Sequence, residues 1–162
     1  MIRNPATFTE YWGNPEATRA AFRDGWLRTG DIGYRDEDDY FFIVGRAKEI
    51  VRRKGVNIAP AEIELVLASN PDIQDAALIG LPSALGEELA IAVVTLAAGA
   101  SREGAEIRAM THLRSLVSRE KVPDRIVVVD RMPKTATERI AKTKLKEWLQ
   151  VDGTLNRDPE RR

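Results

Sequence analysis

The residues best suited to chemistry are charged groups set beside glycines. Thr29-Gly30-Asp31 puts a carboxylate after one glycine, and Gly45-Arg46 puts a guanidinium after another. Arg52-Arg53-Lys54-Gly55-Val56-Asn57 gathers three cations at a glycine, and Pro133-Lys134-Thr135-Ala136-Thr137-Glu138-Arg139 ends on a further arginine. A carboxylate accepts two O–H donors at once, and a guanidinium presents several donors in a fixed fork. Each group also has a plainer reading: a turn aspartate, a solvated hairpin arginine, a basic turn whose glycine serves geometry, and a surface arginine. Other chemistries have less to work with. The chain has no cysteine, which excludes thiol catalysis, disulfides and cysteine-based zinc sites. His112 is the single histidine, so no multi-histidine metal site can be built, and it is expected on the polar side of its helix.

The elements that must hold these groups can be read from hydrophobic spacing. Residues 1–45 read as short strands and turns, with a short helical pattern opening at Pro15, a turn at Asp24-Gly25 and a strand from Tyr40 to Val44. That stretch has too few apolar residues to close a core of its own. Trp26, Phe41 and Phe42 are expected as packing residues rather than a platform for stacking bases. From residue 49 the order is strand, helix, strand, strand, helix, strand, helix. The strands are Glu49–Arg53, Ile73–Gly80, Leu89–Leu96 and Ile126–Val129. The helices are Ala61–Ser69, Glu103–Arg119 and about Ile140–Leu149. Ile107, Met110, Leu113, Leu116 and Val117 are taken as the buried stripe of the long helix. Leu89–Leu96 is almost continuously apolar, as expected for a strand covered on both faces. The resulting expectation is an α+β fold: a small mixed three-stranded sheet with packed helices plus a β-hairpin, preceded by a β-rich segment.

Bulk properties narrow the partners. The 162 residues hold 25 basic and 25 acidic side chains, so no global charge favours nucleic acid. The N-terminus does not read as a signal peptide, and the apolar run Leu89–Ala98 is too short to span a bilayer. No nucleic acid and no membrane partner is expected, and the absence of cysteine is compatible with a cytoplasmic setting.

Three stretches carry a resemblance. Gly25-Trp26-Leu27-Arg28-Thr29-Gly30-Asp31-Ile32-Gly33, then the run from Tyr40 to Glu64, then Met132 to Leu149 resemble successive motifs of the acyl-adenylate-forming enzymes. That superfamily includes AMP-forming acyl-CoA synthetases, adenylation domains of peptide synthetases, and luciferases. Order, spacing and flanking sequence agree over nearly the whole chain except its tail.

The resemblance implies a carboxylic acid substrate joined to ATP as acyl-AMP, followed by attack of the CoA thiol. It implies that Asp31 accepts hydrogen bonds from the ribose hydroxyls and that Arg46 approaches the nucleotide. Lys48 occupies the hinge position, and Lys54, Gly55 and Asn57 belong to a loop that enters the active site for the second step. ATP or AMP and CoA are the implied ligands, with Mg2+ held in the parent enzyme by residues absent from this chain. Residues 1–45 correspond to the end of a large N-terminal adenylation domain, 46–150 to a mobile lid, and 151–162 to a polar, disordered tail. The superfamily's Ser/Thr/Gly-rich phosphate loop is absent, so this chain alone is expected to be inactive.

One stretch departs from the pattern. The motif Pro-x-Thr-x-x-Gly-Lys carries the adenylation lysine, but here Glu138 stands at the glycine and Arg139 at the lysine. Two readings stand: a catalytic Arg139 bridging carboxylate and α-phosphate, or a surface arginine in a lid with weakened adenylation. Lys142 and Lys144 read as solvated helix lysines, with Lys142 the nearer substitute cation. A non-catalytic module binding nucleotide, CoA or protein, and an enzyme loading a carrier protein, remain as alternatives.

Overall fold

The computed structural model describes residues 1–83 and 86–151, and the chain divides into two compact units, Met1–Lys48 and Glu49–Arg162. The tail expected beyond residue 151 lies outside the described residues.

The first unit is built from local turns. Helix α1 (Pro15–Ala21) begins with proline at its first position, and Asn14 Oδ1 accepts the Ala17 N–H at 2.9 Å. Proline is already set for that position, and the asparagine satisfies one of the N–H groups a helix start leaves free. Strands β1 (Phe22–Arg23) and β2 (Trp26–Leu27) pair across Asp24-Gly25, where both residues have positive φ. Strands β3 (Asp31–Arg35) and β4 (Phe41–Arg46) form the larger antiparallel hairpin, with a register shift at Ile32/Gly33. No residue of this unit is buried. The aromatic residues read as packing groups are therefore corrected: Phe41 is 80% exposed, and Trp26 and Phe42 are also exposed. A two-stranded hairpin has no second layer to bury these rings. Phe42 stacks on Tyr34 at 5.1 Å, and the Arg3 guanidinium sits 5.0 Å from the Trp26 ring.

The second unit holds the core. It opens with the hairpin β5 (Val51–Arg53) and β6 (Val56–Ile58), then α2 (Pro60–Ala68). Strands β7 (Ile73–Pro82) and β8 (Glu88–Leu96) pair antiparallel. Helix α3 (Ala105–Leu116) crosses over to β9 (Arg125–Val128), which pairs parallel to β8, and α4 (Lys142–Val151) follows. The sheet order is β7-β8-β9. A parallel neighbour requires a crossover of this length, and α3 supplies it.

Strand β8 is covered on both faces, as its apolar run predicts. Ala90, Ala92 and Val94 join a core with Ile63, Leu67 and Leu113 on one side. Ile91 and Val93 meet Ile79, Met132, Leu145 and Leu149 on the other. The mixed three-stranded sheet between helices is the α+β fold the sequence leads one to expect.

The stripe expected on α3 holds at Leu113, with Met110 and Val117 packed against the core, and is corrected at Ile107 and Leu116. Its buried residues are Ala105, Ala109 and Leu113, while Ile107 is 73% and Leu116 58% exposed. Each step of three residues falls short of a full turn by about 60°. A ladder of such steps therefore winds off the buried face at Ile107. Leu116 is the last residue of the helix, and Val117 is already extended. His112, expected on the surface, is half-buried. Its Nε2 lies 2.9 Å from Ser69 Oγ and 3.0 Å from the Val66 carbonyl oxygen, tying α3 to α2.

Candidate functional site

In the first unit, Asp31 and Arg46 stand directly opposite each other at the open end of the β3–β4 hairpin. Arg46 Nε donates to Asp31 Oδ1 at 3.2 Å. Gly30, with φ +77°, turns the chain into β3, and its carbonyl accepts the Ala47 N–H at 2.8 Å. The turn thus closes the hairpin end and fixes the carboxylate beside the guanidinium. Among the described residues, Asp31 Oδ2 and both terminal nitrogens of Arg46 have no partner. One carboxylate oxygen therefore remains to accept hydroxyl donors, beside a fork that suits a phosphate or carboxylate. Ribose and phosphate groups fit that donor and acceptor set. Lys48 is exposed and is the last residue of this unit.

In the second unit, the tip of the β5–β6 hairpin is Lys54-Gly55, both with positive φ (48° and 76°). A two-residue turn of this hand matches the natural twist of the strands but demands positive φ at both positions. A Cβ on Gly55 would meet nothing within 4 Å, so within this unit the glycine answers to backbone angle rather than crowding. Arg52 and Asn57 pair across the hairpin and both are exposed.

Arg53, one of the three cations gathered at Gly55, is engaged within the unit. Its Nε and Nη2 reach Asp124 Oδ2 and Oδ1 at 2.8 and 2.6 Å, and its Nη1 reaches the Glu120 carbonyl at 3.3 Å. Asp124 Oδ2 also accepts the Ala90 N–H at 2.9 Å. Burial works against the Asp124 carboxylate, but Arg53 and the Ala90 N–H more than offset it and hold its pKa below the usual carboxylate value. The hairpin is fastened a second time where Arg52 N–H donates to Glu88 Oε2 at 2.7 Å. Glu88 lies across Gly80, where a Cβ would come within 2.8 Å of the carboxyl group. Sequence reading missed Asp124 and Glu88. Their partners are 71 and 36 residues away, so no local spacing points to them.

The loop carrying Arg139 is organised by Thr135. Thr135 N–H donates to the Arg139 carbonyl at 2.7 Å, and Thr135 Oγ1 accepts the Arg139 N–H at 3.2 Å. The Glu138 N–H reaches the Thr135 carbonyl at 3.0 Å, and Lys134 bridges Ile140. Glu138 sits at φ +58°. Where the superfamily motif has glycine, the backbone keeps a glycine-like angle with a side chain attached. Arg139 is exposed, and among the described residues its guanidinium makes no hydrogen bond or ion pair.

Lys144 is exposed as expected, but Lys142 is corrected: it is not solvated. Its Nζ lies 2.9 Å from Glu49 Oε2 and 2.8 Å from Glu64 Oε1, with the side chain 23% exposed. Two carboxylates already engage this ammonium, so it is no spare cation. Among the described residues no group of three or more His, Cys, Asp or Glu side chains could hold a metal ion, and no helix is long and apolar enough to cross a membrane.

Comparison with known proteins bears on this arrangement. The family described as AMP-binding enzyme C-terminal domain matches residues 62–139. The 2-succinylbenzoate–CoA ligase of Geobacillus kaustophilus is 38% identical over 149 residues, covering 92% of this chain and 30% of that protein. The luciferin 4-monooxygenase of Photinus pyralis is 41% identical over 150 residues, covering 91% and 27%. The crystal structure of ATP-bound MatB from Rhodopseudomonas palustris superposes with a TM-score of 0.82 at 34% identity, covering 91% of this chain and 29% of that one. The chain thus spans under a third of the length of these relatives. Residues 62–139 thus match the AMP-binding enzyme C-terminal domain family, and the chain is similar to the C-terminal section of enzymes of the adenylate-forming superfamily, AMP-forming CoA ligases among them.

Proposed function

We propose that this chain is the lid section of an AMP-forming acyl-CoA synthetase working with a large N-terminal adenylation domain. In the first step a carboxylate oxygen attacks the α-phosphorus of ATP, forming acyl-AMP as pyrophosphate leaves. In the second the CoA sulfur, having lost its proton, attacks the acyl carbon and AMP leaves. The observation that carries the reading is the Arg139 loop: a guanidinium without a partner among the described residues, on a backbone held by Thr135 in the shape the motif's glycine would take.

The roles follow from chemistry. The first step brings two anions together, so a preorganised cation lowers its barrier most where charge builds up. Arg139 supplies that cation. The unengaged oxygen of Asp31 accepts a ribose hydroxyl, and the free fork of Arg46 approaches the nucleotide phosphates. Lys48 is the hinge, and the Lys54-Gly55 turn with Asn57 serves the CoA step. The setting is cytoplasmic. The relatives are named for substrates as different as 2-succinylbenzoate and luciferin at similar identity, so the lid does not specify the substrate.

The test is a graft. Residues 1–150 replace the matched 149-residue section of the Geobacillus ligase, with the host lacking that section as control. Restored formation of 2-succinylbenzoyl-CoA is expected. A folded graft with neither half-reaction contradicts the reading. A second reading is favoured by Glu138 and Arg139 standing where the motif has glycine and lysine: a lid that has lost the first half-reaction. A graft that makes thioester from supplied acyl-adenylate but forms no acyl-adenylate supports it.

A further inference from the structure

Lys142 breaks a local rule. It opens helix α4, whose first turn holds no acidic residue and carries Lys144 as well. The N-terminal end of a helix carries partial positive charge, so two lysines there are unfavourable to the helix itself. Violations of this kind point to a demand from outside the element. Here that demand comes from two carboxylates on other segments. Glu49 is the first residue after the boundary between the units, and Glu64 lies on α2. Glu64 Oε1 accepts the Leu78 N–H at 2.8 Å as well, so the cluster also reaches the edge strand β7.

The same lysine is the root of the Arg139 loop. Only Ile140 and Ala141 separate them, the Ala141 N–H donates to the Pro133 carbonyl at 2.7 Å, and the Lys142 N–H reaches the Ile140 carbonyl at 3.1 Å. Burial disfavours the ammonium, but hydrogen bonds to Glu64 and Glu49 outweigh it and hold the pKa above the ordinary lysine value. The cation therefore persists at neutral pH.

We propose that Lys142 is a positioning residue, fastening Glu49 to helix α2 and to the root of the Arg139 loop, so that rotation at Lys48 reaches Arg139 without slack at residues 49–51. The catalytic side of this statement rests on the reading of Arg139 as the adenylation cation. A structural prop alone would stabilise the unit evenly. A positioning tie acts at its two ends, residues 49–51 and 134–141.

Hydrogen exchange on the 162-residue chain reads the tie directly. Lys142→Ala should speed exchange at 49–51 and 134–141 by about tenfold or more, the scale of losing charge-assisted hydrogen bonds, and leave β8 and the amides of β7 other than Leu78 unchanged. Lys142→Arg should restore protection. Glu49→Gln, a milder change at a partly exposed residue, should loosen 49–51 alone, which keeps the test valid if Lys142→Ala fails to fold. Uniform acceleration through β7 and β8, or no change at either end, overturns the proposal. In the grafted ligase, Lys142→Ala should lower adenylation about tenfold and spare thioester formation from supplied acyl-adenylate, with rescue by Lys142→Arg. Equal loss of both steps overturns the positioning role. A graft that is inactive before any substitution contradicts the functional reading instead, and the exchange experiment still decides the tie.

Discussion

Arg53 and Asp124 meet through two nitrogen–oxygen contacts of 2.8 and 2.6 Å, with both side chains largely shielded from water. This pair joins the β5–β6 hairpin to the segment just before β9. It makes one of the three cations gathered at the glycine the clamp for its neighbours, Lys54 and Gly55. Breaking it leaves a shielded charge without a partner, which costs more than the pair's net worth. Asp124→Asn should therefore destabilise the chain by about 1–3 kcal/mol, read as a lower urea midpoint with unchanged slope.

The same pair sets an acid limit. Asp124 has a lowered pKa in the folded state, so its contribution is full above the unfolded carboxylate value and fades as pH falls through the folded one. The stability difference between the native chain and Asp124→Asn should be constant above about pH 5 and shrink below about pH 4. A difference that grew on acidification would contradict the assignment. Lys142 acts at the other extreme. Its raised pKa makes its contribution full below the unfolded lysine value, about 10.4, and lost only as pH climbs through the folded one.

Glu138 holds a left-handed angle that costs a residue with a Cβ about 1–2 kcal/mol. Glu138→Gly should relieve most of this, raising stability by roughly 0.5–1 kcal/mol after the entropy that glycine loses on folding. Glu138→Val should lower it. Thermal melting of the three chains gives the order, and a glycine variant less stable than the native chain would show that the Glu138 side chain makes a compensating contact.

Residues 49–150 should fold without the first unit. No residue of Met1–Lys48 is buried, and both buried clusters lie in the second unit. Truncation before Glu49 should leave a single cooperative transition. Its disappearance would make the hairpins part of the core.

The sequence displays this fold unevenly. Strand β8 is legible because a continuous apolar run has one good explanation, burial on both faces. Helix α2 is legible because Ile63 and Leu67 lie one turn apart and Pro60 marks the start. The buried face of α3 is only partly legible, because Leu113 marks it but Ala105 and Ala109 complete it, and Ile107 and Leu116 distract from it. Asp31 and Arg46 stand out through their motifs, and the hairpin register sets them opposite each other. The anchoring roles of Arg53 and Lys142 were hidden. Asp124 lies 71 residues from Arg53 and Glu49 lies 93 from Lys142, and a solvated lysine and a clamped one look alike in sequence.

Acid-dependent exchange of pyrophosphate into ATP, measured on the grafted ligase with and without Arg139→Ala, tests the central claim most directly. With Arg139 as the adenylation cation, the substitution should lower exchange about 100- to 1,000-fold, as loss of one preorganised charge-stabilising group does. Thioester formation from supplied acyl-adenylate should survive nearly unchanged. Arg139→Lys should keep or raise exchange, most clearly when combined with Glu138→Gly. Exchange that is indifferent to Arg139→Ala would contradict the account and leave Arg139 a surface arginine.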